Sequence, residues 1–401
     1  MVYSTVGEAG LMKINCRGII LAHISLNLAG GGEKVCLELL KVLRKRGYPV
    51  VLASVDRTNW RYLRRTFKKV YYPTREVYLF SRLPNFRFGF LNDSLMLLFF
   101  LWELLLLKLA RRGYVLICTC GEKVPAIADV VYVSGFPLWL ADFLPNVSAR
   151  RKCYSRFYRA LMEIIGKIYP PAVVVANSRF ISNFIKRCAG KDVLTIHPPI
   201  NLYEFVNCGN NVRQENIVVV PCRFLPNQNL EIVPKIAKLV ENADFLLIGP
   251  APSAASTKTV NMLHDLIGKL GIKNVTFLIN PSFSQYFDCI CKGKVLLRTP
   301  LFEPFGMSVV EAMAAGCVPV VPRCGGPWFD ILDCKQGVYG FSYRSVGEAA
   351  EIINRLLGDD VLRESVAAKA RERARVFDGS VFEGKILDLV DKVFRAKFRR
   401  N

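Results

Sequence analysis

Histidine is scarce in this 401-residue chain: only His23, His197 and His264 are present. The thirteen cysteines contain no C-x-x-C pair. Cys118/Cys120 and Cys289/Cys291 stand two apart, which argues against a zinc site and against a disulfide framework. Reduced, mostly buried thiols of an intracellular protein are expected instead. No Asp-x-Asp string offers a metal site, and Gly30-Gly31-Gly32 is not G-x-G-x-x-G, so a dinucleotide cofactor is disfavoured. The most apolar run, Leu95 to Leu107, is broken by Glu103 and falls short of the roughly 18 residues of a spanning helix. Residues 1–10 are polar and mixed, predicting no signal peptide before the first strand. Internal repeats and low-complexity tracts are absent.

Acidic residues are also few, 33 against 55 Lys and Arg, for a net charge of +22. The imbalance is local. Residues 1–200 hold 30 basic and 12 acidic residues (+18), and residues 201–401 hold 25 and 21 (+4). Within 41–90 there are 13 basic residues against Asp56 and Glu76 alone. Such a patch attracts nucleic acid, anionic lipid or a phosphorylated substrate, and a merely solvated basic face explains the same charges. No aromatic-interleaved basic motif accompanies it, so nucleic acid is not expected as a partner. Leu95–Leu107, followed by Lys108, Arg111 and Arg112, fits either a buried helix or a helix lying on a membrane surface. Phe99, Phe100 and Trp102 favour some membrane contact.

With 52% hydrophobic residues the chain can fill two cores, and short apolar strands alternate with helical segments throughout. Strands are expected at 18–23, 48–54, 114–118, 130–133 and 172–176. A second series follows at 217–221, 244–248, 274–278 and 294–297, with helices at 229–240, 259–270 and 283–291 between them. This alternation predicts parallel sheets covered on both faces, with ligands beyond the carboxyl ends of the strands. His197-Pro198-Pro199 reads as a stiff connector, and His197 as structural, since no catalytic partner stands near it in sequence. Residues 381–400 read as a basic amphipathic helix.

The densest chemistry lies in LFEPFGMSVVEAMAAGCVPVVPRCGGPWFD, residues 301–330. Glu303-Pro304-Phe305-Gly306 is a loop, Ser308–Ala315 a short apolar helix, Gly316 its left-handed end, and 317–321 a strand. A loop feeding a buried helix N-terminus offers free N–H groups and a positive dipole end, which suit phosphate. Glu303 and Glu311 bracket that terminus, and carboxylates there call for hydroxyl partners. Phosphate with many hydroxyls describes a sugar nucleotide. Ser308-x-x-Glu311 is equally a capping box. Glu303, set between Phe302 and Pro304-Phe305, needs a partner to offset its desolvation.

Glu303 and Glu311, seven residues between them within EPFG…EAMAAG…GG, resemble the signature of the family 4 retaining glycosyltransferases of the GT-B fold. HISLNLAGGGEKV, with His23, Gly31, Gly32 and Glu33, resembles the opening of the dolichol-linked-oligosaccharide mannosyltransferases. CRFLPNQN, residues 222–229, resembles the family string GRF-x-P-x-KN. The resemblance implies two doubly wound Rossmann-like domains facing a cleft: 1–198 on the acceptor side, 199–378 on the nucleotide-sugar side, and a helix, 379–401, returning to the first. It implies that Glu311 binds the donor ribose, and that Glu303 with the backbone of Phe305, Gly306, Met307 and Ser308 holds sugar hydroxyls. Arg223 and the Gln228 position balance the diphosphate, while His23, Gly135 and Pro137 lie towards the acceptor.

The expected reaction is transfer of mannose or a similar hexose, with retention, from a nucleotide diphosphate sugar to a lipid-linked or glycan acceptor. No metal and no cofactor beyond the donor is expected, and the expected place is peripheral, at the cytoplasmic face of a membrane. Two positions depart from the family: Gln228 stands where a lysine is usual, and Gly135 where a histidine is usual. Together they admit an alternative, a weakened or inactive GT-B protein partnering an active transferase.

Overall fold

The computed structural model describes residues 18–28, 30–67, 69–81, 89–121, 127–136, 173–206, 208, 215–251 and 253–398, with scattered positions between 152 and 164. These form two compact units. The first takes the chain through Asn177, Ile181–Ile196 and the tail from Phe382; the second takes Ser178–Phe180 and His197–Val381. The change-overs at 196/197 and 381/382 stand beside the expected 198 and 378, and the three residues Ser178–Phe180 join the second unit.

The first unit is a seven-stranded parallel sheet. Its strands are β1 (Gly18–Ala22), β2 (Val50–Asp56), β3 (Arg75–Phe80), β4 (Tyr114–Cys118), β5 (Val130–Val133), β6 (Val173–Ala176) and β7 (Leu194–Thr195), in the order β3-β2-β1-β4-β5-β6-β7. β1, β2 and β5 are buried at every position, as near-continuous Val/Ile/Leu runs require when both faces of a sheet are covered. Helix Gly31–Lys45 packs Val35, Leu39, Leu40 and Leu43 into this core. The final helix, Gly379–Phe398, adds Phe382, Ile386, Leu389, Val390, Val393 and Phe394. Polar ties fix that helix in place: Lys397 Nζ donates to the Tyr114 carbonyl at 2.7 Å and to Asp129 at 3.0 Å, and the Tyr48 hydroxyl meets Asp391 at 3.2 Å.

Helix Gly89–Ala110 contains the apolar run, with one face buried and another exposed. Leu97, Phe100, Leu101 and Leu104 are buried, whereas Leu98, Phe99, Trp102, Leu106 and Leu109 are each about half exposed or more, Trp102 at 61%. Among the described residues no helix is long and apolar enough to cross a membrane. Helix Trp60–Phe67 and strand β3 were not expected from the sequence.

The second unit is a six-stranded parallel sheet of β8 (Ile217–Pro221), β9 (Asp244–Gly249), β10 (Val275–Ile279), β11 (Val295–Leu297), β12 (Val318–Pro322) and β13 (Phe341–Tyr343), ordered β10-β9-β8-β11-β12-β13. Strand alternation divides its side chains between two cores: Val218, Val220, Val295, Leu297 and Val320 on one face, Val219, Leu296 and Val321 on the other. Two expected helices shift. In place of a helix over 229–240 there is a short turn, Pro226–Gln228, ended by left-handed Asn229, and then helix Ile232–Ala237. In place of 259–270 the helix runs Ala254–Leu270, because Ser253 and Ser256 cap it earlier. The expectation of fully reduced thiols is also corrected: Cys208 and Cys291 form a disulfide, their Cα atoms 5.2 Å apart across 83 residues of sequence. That Cα separation lies within the range a disulfide needs, and sequence spacing carries no information on it.

Phe394 lies in the first core with its ring stacked on Tyr48, centroids 5.4 Å apart. Phe394→Ala is expected to destabilise the first unit by about 3–5 kcal/mol, read as a lower urea midpoint for its transition. An unchanged midpoint would show that the final helix contributes nothing to that core.

Candidate functional site

β8 and β11 are neighbours, and sheet order reverses between them, so loops from their carboxyl ends diverge and leave a crevice. The residues that follow them are Cys222-Arg223 and Arg298-Thr299. Arg298 is the centre of the arrangement. Although only 6% exposed, its guanidinium is fully engaged on one side: it donates to the Pro221 carbonyl, and Nε (2.8 Å) and Nη2 both donate to Glu303 Oε2. The Arg298 carbonyl accepts the Tyr343 hydroxyl at 2.6 Å. Glu303 thus has the partner its setting demanded, and the ion pair fixes the loop that carries it. Thr299, nearly inaccessible, donates to the Gln228 carbonyl at 2.7 Å and binds the β8 turn to the same strand end.

The loop then turns into helix Met307–Ala315. Gly306 caps that helix at φ +96, a conformation costly for other residues, and an added Cβ would lie 2.9 Å from Pro327 Cγ. Gly326 packs directly on the loop: a Cβ there would lie 2.3 Å from the Pro304 carbonyl oxygen, and its N–H donates to the Glu303 carbonyl at 2.8 Å. The Gly-Gly pair of the motif is therefore what lets the turn after β12 close against Glu303–Phe305. Phe305 is buried, its ring among His197 and Phe377 at 5.5 and 5.4 Å, so only its backbone faces the loop surface. Among the described residues the N–H groups of Met307 and Ser308 have no hydrogen-bond acceptor. They are the orphan donors that suit an anion.

The capping-box alternative for Ser308 and Glu311 is not what forms. The helix starts one residue before Ser308, its cap is Gly306 without a side-chain bond, and Glu311 turns to another partner. Glu311 Oε2 accepts the Tyr286 hydroxyl at 2.8 Å. Burial first, and the Glu311 carboxylate second, push the Tyr286 phenol well above its ordinary range, so it stays a donor and holds the carboxylate in place. Arg223 is exposed and, among the described residues, forms no ion pair. Gln228 is half-buried, anchored through its main chain.

His197 departs from its expected isolation. Its Nε2 lies 2.9 Å from Oδ1 of fully buried Asp330, which also accepts the backbone N–H groups of Arg179 (2.6 Å) and Phe180 (3.1 Å). This network holds Ser178–Phe180 to the second unit, so the role remains structural although a partner exists.

In the first unit a separate set gathers. His23 is buried, its Nδ1 2.9 Å from Thr119 Oγ1 and its Nε2 3.5 Å from Glu33. Glu33 also accepts the Gly30 N–H at 2.8 Å, closing the loop onto its helix. Burial opposes ionisation of Glu33, but the His23 contacts and backbone N–H groups hold its pKa below the ordinary value. A Cβ on Gly32 would lie 4.0 Å from both the His23 ring and Ser134, so Gly31-Gly32 and the loop preceding Gly135 share one surface. Among the described residues nothing lies within 4 Å of the point where a side chain on Gly135 would begin. Pro137 lies outside the described residues.

Sequence reasoning missed Arg298, Thr299 and Tyr286. The available signal was an arginine directly after a three-residue apolar strand and five residues before Glu303.

Residues 208–373 match the family model described as "Glycosyl transferases group 1". Over 94% of this chain and 87% of the relative's length, the chain is 26% identical to a human protein named GDP-Man:Man(3)GlcNAc(2)-PP-Dol alpha-1,2-mannosyltransferase. A Candida albicans protein of the same name is 30% identical over 40% of this chain and 30% of its own. Among solved structures, a sucrose-phosphate synthase from Thermosynechococcus elongatus superposes with a TM-score of 0.76 at 16% identity, covering 95% of this chain and all of the other. Anabaena HepE in complex with UDP and glucose gives 0.71 at 17% identity, covering 93% and 99%.

Substitutions separate the two carboxylates. Glu303→Gln leaves the buried Arg298 cation facing a neutral amide and is expected to cost about 3 kcal/mol of stability. Glu311→Gln keeps an acceptor for Tyr286 and is expected to stay within about 1 kcal/mol of wild type. Chemical denaturation checks both, and equal losses would remove the distinction. Residues 208–373 thus match the glycosyl transferases group 1 model, and the chain has the two-sheet fold of these solved structures.

Proposed function

We propose that the protein is a retaining, metal-independent mannosyltransferase that moves mannose from a guanosine diphosphate sugar onto a dolichol-linked oligosaccharide. The observation that carries this reading is the Arg298-anchored loop, which presents Glu303, two acceptor-free backbone N–H groups and Glu311 around one helix start. The names of the relatives supply the donor and the acceptor class. As the glycosidic bond breaks, negative charge grows on the leaving diphosphate. Arg223 and the helix end stand ready to receive it, so no cation is required to neutralise it. Glu303 and Glu311 are set to accept hydroxyls of the sugar and the ribose. Incubation with GDP-mannose and lipid-linked acceptor in EDTA, with the anomeric configuration of the product read by NMR, tests the reading. Inverted product or absent transfer overturns it.

The departures at Gln228 and Gly135 weaken the site without removing its anchors. A charge-assisted contact is worth roughly 1.5–3 kcal/mol, or about ten- to a hundredfold. Gln228→Lys is therefore expected to tighten GDP binding by that factor, and Gly135→His to act independently of it. If wild type binds no nucleotide sugar and the double variant restores neither binding nor transfer, the chain acts as a partner of an active transferase.

The same proposal places the first unit on the cytoplasmic face of a membrane, as a peripheral protein. The apolar face of helix Gly89–Ala110 and the exposed Lys45, Arg46, Arg61, Arg64, Arg65 and Lys69 support it. Each basic residue near an anionic surface contributes on the order of 1 kcal/mol, screened by salt. On the membrane-facing helix, burial raises Glu103 to about 7, and its Oε2 has no partner among the described residues. The raised value means that the neutral form prevails below pH 7 and the charged form above it. Flotation with anionic vesicles is expected to be stronger at pH 6 than at pH 8 and to weaken with salt. Glu103→Gln should remove the pH dependence but not the salt dependence. Equal recovery from neutral and anionic vesicles at both salt levels would remove the electrostatic part.

A further inference from the structure

Helix Phe283–Lys292 of the second unit carries a single hydroxyl on an otherwise apolar stripe. Phe283, Tyr286, Phe287, Ile290 and Cys291 recur at the i, i+3, i+4, i+7, i+8 spacing of a core-facing helix. All five belong to or pack against the core that holds helix Met307–Ala315. The exception to the stripe is the Tyr286 hydroxyl, which donates to Glu311 Oε2 at 2.8 Å.

That helix is fixed without help from Glu311. Ser282 caps its start, accepting the Gln285 N–H at 3.2 Å, while the Gln285 side chain accepts the Ser282 N–H at 2.9 Å. Phe283 and Phe287 pack on Phe205, with ring centroids 6.3 and 5.7 Å away. At the far end Cys291 is bonded to Cys208, and the Cys317 thiol donates to the Ile290 and Gly293 carbonyls at 3.2 and 3.1 Å. Tyr286 is therefore a fixed post, and Glu311, free to turn about its side-chain bonds, is the partner whose place it decides. Burial foremost keeps the phenol protonated, so it remains a donor.

Glu311 is buried, and Val309, Val310, Ala312 and Met313 beside it are wholly so. A carboxylate in that setting costs free energy that an apolar side chain of similar volume would not. Stability alone does not call for such a pair, whereas a fixed place for a carboxylate does. Glu311 stands about one helical turn, roughly 5.4 Å along the axis, inside the helix start. There Met307 and Ser308 present N–H groups without acceptors among the described residues. The sequence of groups matches a nucleoside diphosphate, with an anion at the helix start and ribose hydroxyls one turn on. We propose that Tyr286 is a positioning residue that sets Glu311 to accept ribose hydroxyls, and thereby determines the preference for ribonucleotide over deoxyribonucleotide donors. This role rests on the reading of the second unit as a nucleotide-sugar site with Glu311 on the ribose.

The test is isothermal titration of the full chain with GDP and with 2′,3′-dideoxy-GDP, which lacks both ribose hydroxyls. Wild type is expected to prefer GDP by about tenfold or more. Tyr286→Phe keeps the ring and its packing. It is expected to lower GDP affinity to near that of the dideoxy nucleotide while leaving the dideoxy affinity unchanged. Because Tyr286 acts through Glu311, adding Tyr286→Phe to Glu311→Ala is expected to change neither affinity further. A preference that survives Tyr286→Phe overturns the role and leaves the transferase reading standing. So do an equal fall for both nucleotides, which a merely structural tyrosine would give, and losses that add in the double variant. Wild type that binds both nucleotides equally overturns the ribose role of Glu311 and Tyr286 together, again without touching the transferase reading. Wild type that binds neither nucleotide overturns the transferase reading and this role with it.

Discussion

The second unit is organised around a buried cation. Arg298 stands at the end of β11, where the strand order reverses, and its desolvation has to be offset by the Pro221 carbonyl and the Glu303 carboxylate. That pair does more than neutralise charge. It ties the β8 end, the β11 end and the loop before helix Met307–Ala315 into one rigid body. Gly306 and Gly326 then allow that loop to turn and to be covered by the next one. A loop built this way has its hydrogen-bonding groups oriented before any ligand arrives, the condition under which electrostatic stabilisation is most effective.

The first unit solves a different problem with similar parts. His23, Glu33 and Thr119 lock the glycine loop from beneath, and Ser25 and Asn27 of the same loop reach sideways to Asp56. Loop rigidity there comes from side-chain networks rather than from one ion pair. The basic surface and the half-exposed apolar helix face belong to this unit as well.

Most of the framework was legible because it is local. Short Val/Ile/Leu runs alternating with helices specify parallel sheets, and the GT-B class followed from contiguous strings such as EPFG and GGGEKV. What could not be read depends on contacts distant in sequence. Glu303 announced its need for a partner, but Arg298 is recognised as that partner only once β11 and β8 are paired. Glu311 sat in a plausible capping box, yet positive φ at Gly306 starts the helix earlier and releases Glu311 to Tyr286, 25 residues away. The Cys208–Cys291 bond and the His197–Asp330 contact were invisible for the same reason.

The central claim is that the Arg298-anchored loop holds a nucleoside diphosphate through Arg223 and backbone N–H groups, without a metal. Isothermal titration of the whole chain with GDP in EDTA, for wild type and Arg223→Ala, measures this directly. Saturable one-to-one binding that weakens at least tenfold in Arg223→Ala, about 1.4 kcal/mol, is the predicted result. Binding that appears only when a divalent cation is added, or that is indifferent to Arg223, would contradict it.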